Sequence, residues 1–168
     1  MSSSLHIRPF HPNDTRDVAG VIIPIQRVEF GIDVTLEDQP DLGDIRGFYQ
    51  QGSGNFWVAE CGGRIAGTIG LLDIGHKQAA LRKMFVSQQF RGREHGVAKR
   101  LLDELFAWCA SNGIAEIYLG TTEKFLAAHR FYEKNGFAEI PKGELPSAFP
   151  VMAVDSRFYR KVLSRDDV

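Results

Sequence analysis

Apolar and polar residues alternate from Leu5 to Phe10 as in a short strand, and Pro12-Asn13-Asp14 follows with the turn and cap residues of a helix start. The next stretch carries Val18, Val21, Ile22 and Ile25 on one helical face, but Pro24 removes a backbone donor and should bend or split the helix before Phe30. Asn55 to Glu60 and Arg64 to Leu72 are rich in β-formers, and Gly62-Gly63 between them tolerates the positive φ of a hairpin turn. Ala79 to Val86 reads as a third strand, joined to the second through Asp73-Ile74-Gly75-His76. Apolar residues at 97, 101, 102, 105, 106 and 109 then give Val97 to Asn112 the spacing of an amphipathic helix, closed at Asn112-Gly113. Ile114 to Thr121 returns to strand. Glu123 to Lys134 is a helix with Phe125, Ala128 and Tyr132 on one face and Asn135-Gly136 as its stop; Phe137 to Ile140 and Val151 to Tyr159 are the last strands. The predicted order is β-α-β-β-β-α-β-α-β-β. Hairpins in the first half and βαβ crossovers in the second require a mixed sheet with helices on both faces.

Composition narrows this picture without changing it. The 168 residues suit one domain spanning 1–168, and 43% hydrophobic with 24% charged residues is ordinary for a soluble globular chain. A formal net charge of −1 supplies no overall field for nucleic acid or an anionic membrane, so neither is an expected partner. The first residues lack a basic segment followed by an apolar run, and no stretch approaches the roughly 20 apolar residues of a spanning helix; a cytoplasmic location is expected. Cys61 and Cys109 lie far apart in apolar-patterned segments, which suits buried thiols better than a disulfide or a metal site, and no metal is expected.

Charge matters locally, in Arg91-Gly92-Arg93-Glu94-His95-Gly96-Val97-Ala98-Lys99-Arg100, between a strand and the longest amphipathic helix. A helix N-terminus exposes unpaired amides and the positive end of its dipole, and it takes a phosphate or pyrophosphate when glycines let the ligand reach the backbone. Gly92 and Gly96 give that access, and Arg91, Arg93, Lys99 and Arg100 against Glu94 add complementary charge. The plainer reading is a glycine-rich turn with solvated arginines. Neither G-x-x-x-x-G-K-[ST] nor G-x-G-x-x-G fits the spacing.

Arg93-x-x-Gly96-x-Ala98, followed by Leu101-Leu102, resembles the [QR]-x-x-G-x-[GA] motif of the GCN5-related N-acetyltransferases. Leu81 to Val86 is similar to that family's fourth strand, and Ala128, Tyr132, Gly136 and Phe137 match its A-x-x-x-Y-x-x-x-G-F signature. The resemblance runs from Leu81 to Phe137 in the family's order. It implies the acyl-CoA N-acyltransferase fold, with a mixed, mostly antiparallel central sheet flanked by helices. It implies acetyl-CoA as cosubstrate, bound through Met84, Phe85, Val86, the loop from Arg91 through Glu94, His95, Gly96 and Val97 to Ala98, and His129. Where many members carry Asn seven residues before the tyrosine, this chain has Phe125.

The same resemblance implies direct attack by a primary amine of a small molecule or peptide on acetyl-CoA in a ternary complex. Tyr132 would protonate the departing CoA thiolate, and backbone N–H groups near Phe85 and Val86 would hold the oxyanion. A phenol with a pKa of about 10 carries its proton at neutral pH. The alternative for Tyr132 is an aromatic on the core face of a helix. Glu29, Asp73, His76 and His129 are candidate general bases, with Glu29 and Asp73 at the ends of a helical region and a strand. Val28 to Ile45 holds Glu29, Asp33, Glu37, Asp38, Asp41 and Asp44 with no compensating Lys or Arg through Asp44, which suggests either attraction of a cationic amine or a solvated loop with capping acids. Pro141 to Pro150, with Phe149, is expected beside the cleft. A non-catalytic acetyl-CoA sensor is the competing function, and a homodimer is left open.

Overall fold

The structure, a computed structural model, describes residues 4–92 and 96–163. Strand β1 (Leu5–Pro9) leads through a 3₁₀ turn at Pro12–Asp14 into α1 (Thr15–Pro24). Pro24 sits at the end of α1, and the chain continues as one π-helical turn, Ile25–Glu29, with the Phe30 amide donating to the Ile25 carbonyl at 3.1 Å. The expected bend is therefore a widened turn. Two short helices, α2 (Pro40–Gly43) and α3 (Ile45–Tyr49), follow within the acidic stretch. Strands β2 (Asn55–Cys61), β3 (Arg64–Gly75) and β4 (Gln78–Val86) form a meander. Helix α4 (Val97–Ser111), β5 (Glu116–Thr121), α5 (Leu126–Lys134), β6 (Ala138–Ile140) and β7 (Arg157–Val162) complete the chain.

The strands form one mixed sheet in the order β1-β2-β3-β4-β5-β7-β6, antiparallel except where β4 meets β5. Alternation on β2 divides the core: Phe56 and Val58 pack with Val18, Ile22, Leu42, Ile45 and Tyr49 on the α1–α3 face, while Trp57 and Ala59 pack with Leu101, Leu102, Leu105 and Tyr132 on the α4–α5 face. Cys109 is buried in the second layer, and desolvation pushes its thiol up to about 12. Helix α4 lies close against the sheet because Gly67 of β3 has no side chain; a Cβ there would come within 3.1 Å of Val97 and Leu101 methyls.

The expected last strand, Val151 to Tyr159, is displaced: residues 151–156 form a turn and the strand begins at Arg157. The Asp155 carboxylate accepts from the Met152 amide at 2.8 Å, closing a turn that strand pairing would have to break. Helix α5 likewise starts at Leu126 rather than Glu123, since Phe125 has non-helical backbone angles (φ −94°, ψ 60°).

Arg8 of β1 forks onto Asp14 at 2.8 and 2.9 Å and reaches Glu60 on β2 at 3.0 Å. The guanidinium holds the Asp14 carboxyl below the usual carboxylate range. A carboxyl depressed in the folded state contributes stability above its unfolded value, near about 3.9, and loses it as pH falls through the folded value. Asp14→Asn should therefore cost about 1.5–3 kcal/mol at neutral pH, the range for hydrogen bonds to charged groups. It should also flatten the fall in Tm on acidification below about pH 4, which melting curves taken across that range will show.

Candidate active site

The parallel pair β4–β5 is registered over only three positions, Gln78↔Glu116, Ala79↔Ile117 and Ala80↔Tyr118. Beyond Ala80 the two strands part, leaving the edge of Leu81 to Val86 unpaired on the β5 side. A cavity of about 660 Å³ fills the gap. Leu81 to Val86 line one wall, Leu119 to Thr122 and the α5 residues Ala128, Phe131 and Tyr132 the other, and Ala98 of α4 lies at one end. The π turn and the segment after it contribute Gln26, Phe30, Ile32, Asp38 and Gln39, and the loop before β7 contributes Phe149, Pro150, Met152 and Asp155.

β4 aims its backbone into this space. The Ser87 amide donates to the Ala66 carbonyl on β3 at 2.9 Å, so the Val86 N–H points the opposite way, toward the cavity. Lys83 and Met84 together oppose the single residue Ile69, a β-bulge with Lys83 at φ 54°, and the Thr68 hydroxyl pins it by donating to the Lys83 carbonyl at 2.7 Å. At the far end Gly96 caps α4 in the left-handed region, φ 62°, so the first-turn amides face outward without intrahelical acceptors. Gly92, at φ 111°, needs the same freedom. Arg93, Glu94 and His95 lie outside the described residues.

Tyr132 is 7% exposed, and no described residue bonds its hydroxyl, although it lines the cavity. Burial alone pushes the phenol above its ordinary value. Phe125, standing where many family members have Asn, packs edge-on to Phe30 with centroids 4.6 Å apart and reaches Phe85 at 6.3 Å. A hydrophobic wall joining the π turn to β4 and α5 thus replaces an amide side chain. Lys124 reinforces it by donating to the Phe30 carbonyl at 3.3 Å.

The structure gathers Tyr132, Met84, Phe85, Val86, Arg91 and Ala98 around one cavity. Among the described candidates, Glu29, Asp73, His76 and His129 do not line it. Glu29 is held by the Arg91 guanidinium, with one bond at 2.7 Å, and this keeps its carboxyl below the usual range and makes it a weaker proton acceptor. Arg91 also donates to the Val86 carbonyl at 2.8 Å, so the pair braces the end of β4. Asp73 accepts from the Ser53 and Gly75 amides at 2.9 and 2.8 Å, closing loops at the other end of the sheet. His76 lies in the β3–β4 turn at φ 55°. His129 is buried between Thr122 and Arg157: the guanidinium donates to Nδ1 at 2.9 Å, which leaves Nε2 to donate to the Thr122 carbonyl at 2.9 Å.

The acidic segment offers the cavity little free charge. Asp38 accepts from the Thr35 amide and Asp44 caps Gly47, both at 3.0 Å, while Asp41 is buried against the Tyr49 hydroxyl at 2.6 Å. These three carboxylates act as caps and a core anchor, the plainer of the two expectations for the segment. Among the described residues lining the cavity, the basic Arg82, Lys83, Arg91 and Lys124 outnumber the acidic Asp38 and Asp155. Sequence reasoning passed over Arg82 and Lys83, because regular strand alternation puts only one of them on this side.

A profile described as the acetyltransferase (GNAT) family matches residues 22–137. The chain belongs to this family, whose acetyl donor is acetyl-CoA. It is 37% identical over 109 residues to a probable N-acetyltransferase family 8 member 5 of Mus musculus, covering 62% of this chain and 47% of that protein. It is 33% identical over 106 residues to an N-acetylaspartate synthetase of Danio rerio, covering 62% and 37%. The chain thus spans less than half the length of these two curated relatives. A crystal structure of a GNAT-family acetyltransferase from Staphylococcus aureus Mu50 superimposes with a TM-score of 0.92 at 40% identity, covering 96% of this chain and all of the other. Among the described residues, no helix is long and apolar enough to cross a membrane.

Proposed function

We propose that this chain is an acetyl-CoA-dependent N-acetyltransferase acting on a primary amine of a small molecule or peptide. The observation that carries the reading is the Tyr132 hydroxyl, which no described residue hydrogen-bonds and which lines the same cavity as the open edge of β4 and the start of α4. In this reading the α4 N-terminus and its glycine loop, with Arg93, Glu94 and His95, bind the pyrophosphate, and the β4 edge from Met84 to Val86 bonds the pantetheine arm. The amine lone pair attacks the thioester carbonyl within a ternary complex. Backbone N–H groups beside the bulge hold the tetrahedral oxyanion as the C–S bond breaks, and Tyr132 gives its proton to the thiolate. Neither Glu29 nor Asp73 lines the cavity, and in this reading the amine enters uncharged or loses its proton to solvent.

Calorimetry with acetyl-CoA, followed by CoA release over a panel of amines, tests the proposal. Binding with turnover of at least one amine is expected. Binding with no turnover on any amine would make the chain an acetyl-CoA sensor, and absence of binding would remove the cofactor assignment altogether.

A further inference from the structure

Arg82 and Lys83 are consecutive on β4, and a regular strand would send them to opposite faces. Both line the cavity. The bulge at Lys83–Met84 re-aims the chain between them, and their neighbours are shared: the Arg82 guanidinium lies over the rings of Phe48 and Tyr49, 5.4 and 5.9 Å from their centroids, while the Lys83 ammonium is 3.7 Å from Asp41, which accepts from the Tyr49 hydroxyl.

The bonding of these two cations is incomplete. Arg82 donates to the Met152 sulfur at 3.3 Å, a weak acceptor, and no described carboxylate hydrogen-bonds its guanidinium. Lys83 donates to Gln39 Oε1 at 2.6 Å; its side chain is 8% exposed, and Asp41 lies beyond good hydrogen-bond distance. An ammonium has three N–H groups, so capacity remains in a nearly dry setting, and desolvation lowers the Lys83 pKa accordingly. Of the acids of the cavity, Asp38 is committed to the Thr35 amide, and Asp155, which accepts from the Met152 amide, also lies within the field of Arg82 and Lys83 without hydrogen-bonding either. Gln39, the acceptor for Lys83, is fixed by a reciprocal amide pair with Gln26 at 3.0 and 2.9 Å, both side chains buried. The ammonium is therefore held in place.

We propose that Arg82 and Lys83 form a carboxylate-recognition subsite, and that the acceptor is a small primary amine bearing a carboxylate, as an amino acid does. The inference rests on the acetyltransferase reading above. A guanidinium fork takes a carboxylate through two parallel bonds, and the ammonium supplies a third donor. The same positive field disfavours the acceptor's ammonium form and so favours the neutral amine that attacks.

The test uses the full chain with saturating acetyl-CoA and matched acceptors: free amino acids, their α-amides and the corresponding decarboxylated amines. Free acids should exceed their partners in kcat/KM by about 100-fold or more, because a site built to bond a group rejects the analogue that lacks it. Arg82→Gln and Lys83→Gln should each raise KM for the acids and narrow the gap between acid and amide, with acetyl-CoA affinity read alongside by calorimetry. Amides or decarboxylated amines turned over as well as acids would overturn the subsite and leave the acetyltransferase reading standing. Unchanged selectivity in a folded Arg82→Gln variant would do the same. Turnover of none of these or any other amine would overturn both.

Discussion

Tyr132→Phe should lower kcat by about 10²- to 10⁴-fold, the usual contribution of a positioned acid, and leave acetyl-CoA affinity nearly unchanged. The expectation of intact binding comes from the surroundings of the residue. The ring is part of the α4–α5 core, 5.6 Å from Phe137 and 6.2 Å from Tyr159 between centroids, and phenylalanine keeps those contacts. The hydroxyl has no described protein partner, so its removal orphans no buried group. Burial raises the phenol's pKa, so titration of Tyr132 should not limit kcat anywhere below its ordinary value of about 10. Steady-state CoA release across pH, with calorimetry on the variant, measures both halves. An unchanged kcat would return Tyr132 to the plainer role of a core aromatic.

Ala98→Glu should weaken acetyl-CoA binding by about 100-fold or more, since a like charge set against a bound anion costs several kcal/mol. Ala98 is half-buried on the first turn of α4 and lines the cavity, so under the proposed function a carboxylate there would confront the pyrophosphate. Val97, its neighbour, is buried beneath the sheet and would instead report on folding. A melting temperature near that of the parent chain, together with lost binding, separates the two effects. Retained affinity would mean that the pyrophosphate lies elsewhere.

Periodicity made the elements legible, and the helix start at Val97 and the order of strands are as it indicates. The last strand was misread because Val151, Met152 and Val154 are apolar but exposed in a turn, where Met152 and Val154 line the cavity. Apolar residues that face a cleft look like strand residues in a sequence. The candidate site was legible in two features that the structure displays, the positive φ of Gly92 and Gly96 before α4 and the place of Tyr132 on the cavity wall. It was not legible where two distant segments meet. Nothing in the local sequence shows that Glu29 is held by Arg91, or that Gln26 pairs with Gln39 and steadies Lys83. Nor does a run of apparent strand residues reveal the one-residue bulge that turns Arg82 and Lys83 to the same side.

The three-residue seam between β4 and β5 also has a thermodynamic consequence. Past Ala80 the sheet's two halves have no ladder in common and are joined through the core layer they share under α4 and α5. Under the proposed function, a cosubstrate that bonds the β4 edge behaves as a removable strand, and its binding energy is added to the cohesion of the fold in proportion to the logarithm of its concentration. The cell's supply of acetyl-CoA would then govern how firmly the halves are held together as well as how fast the reaction runs.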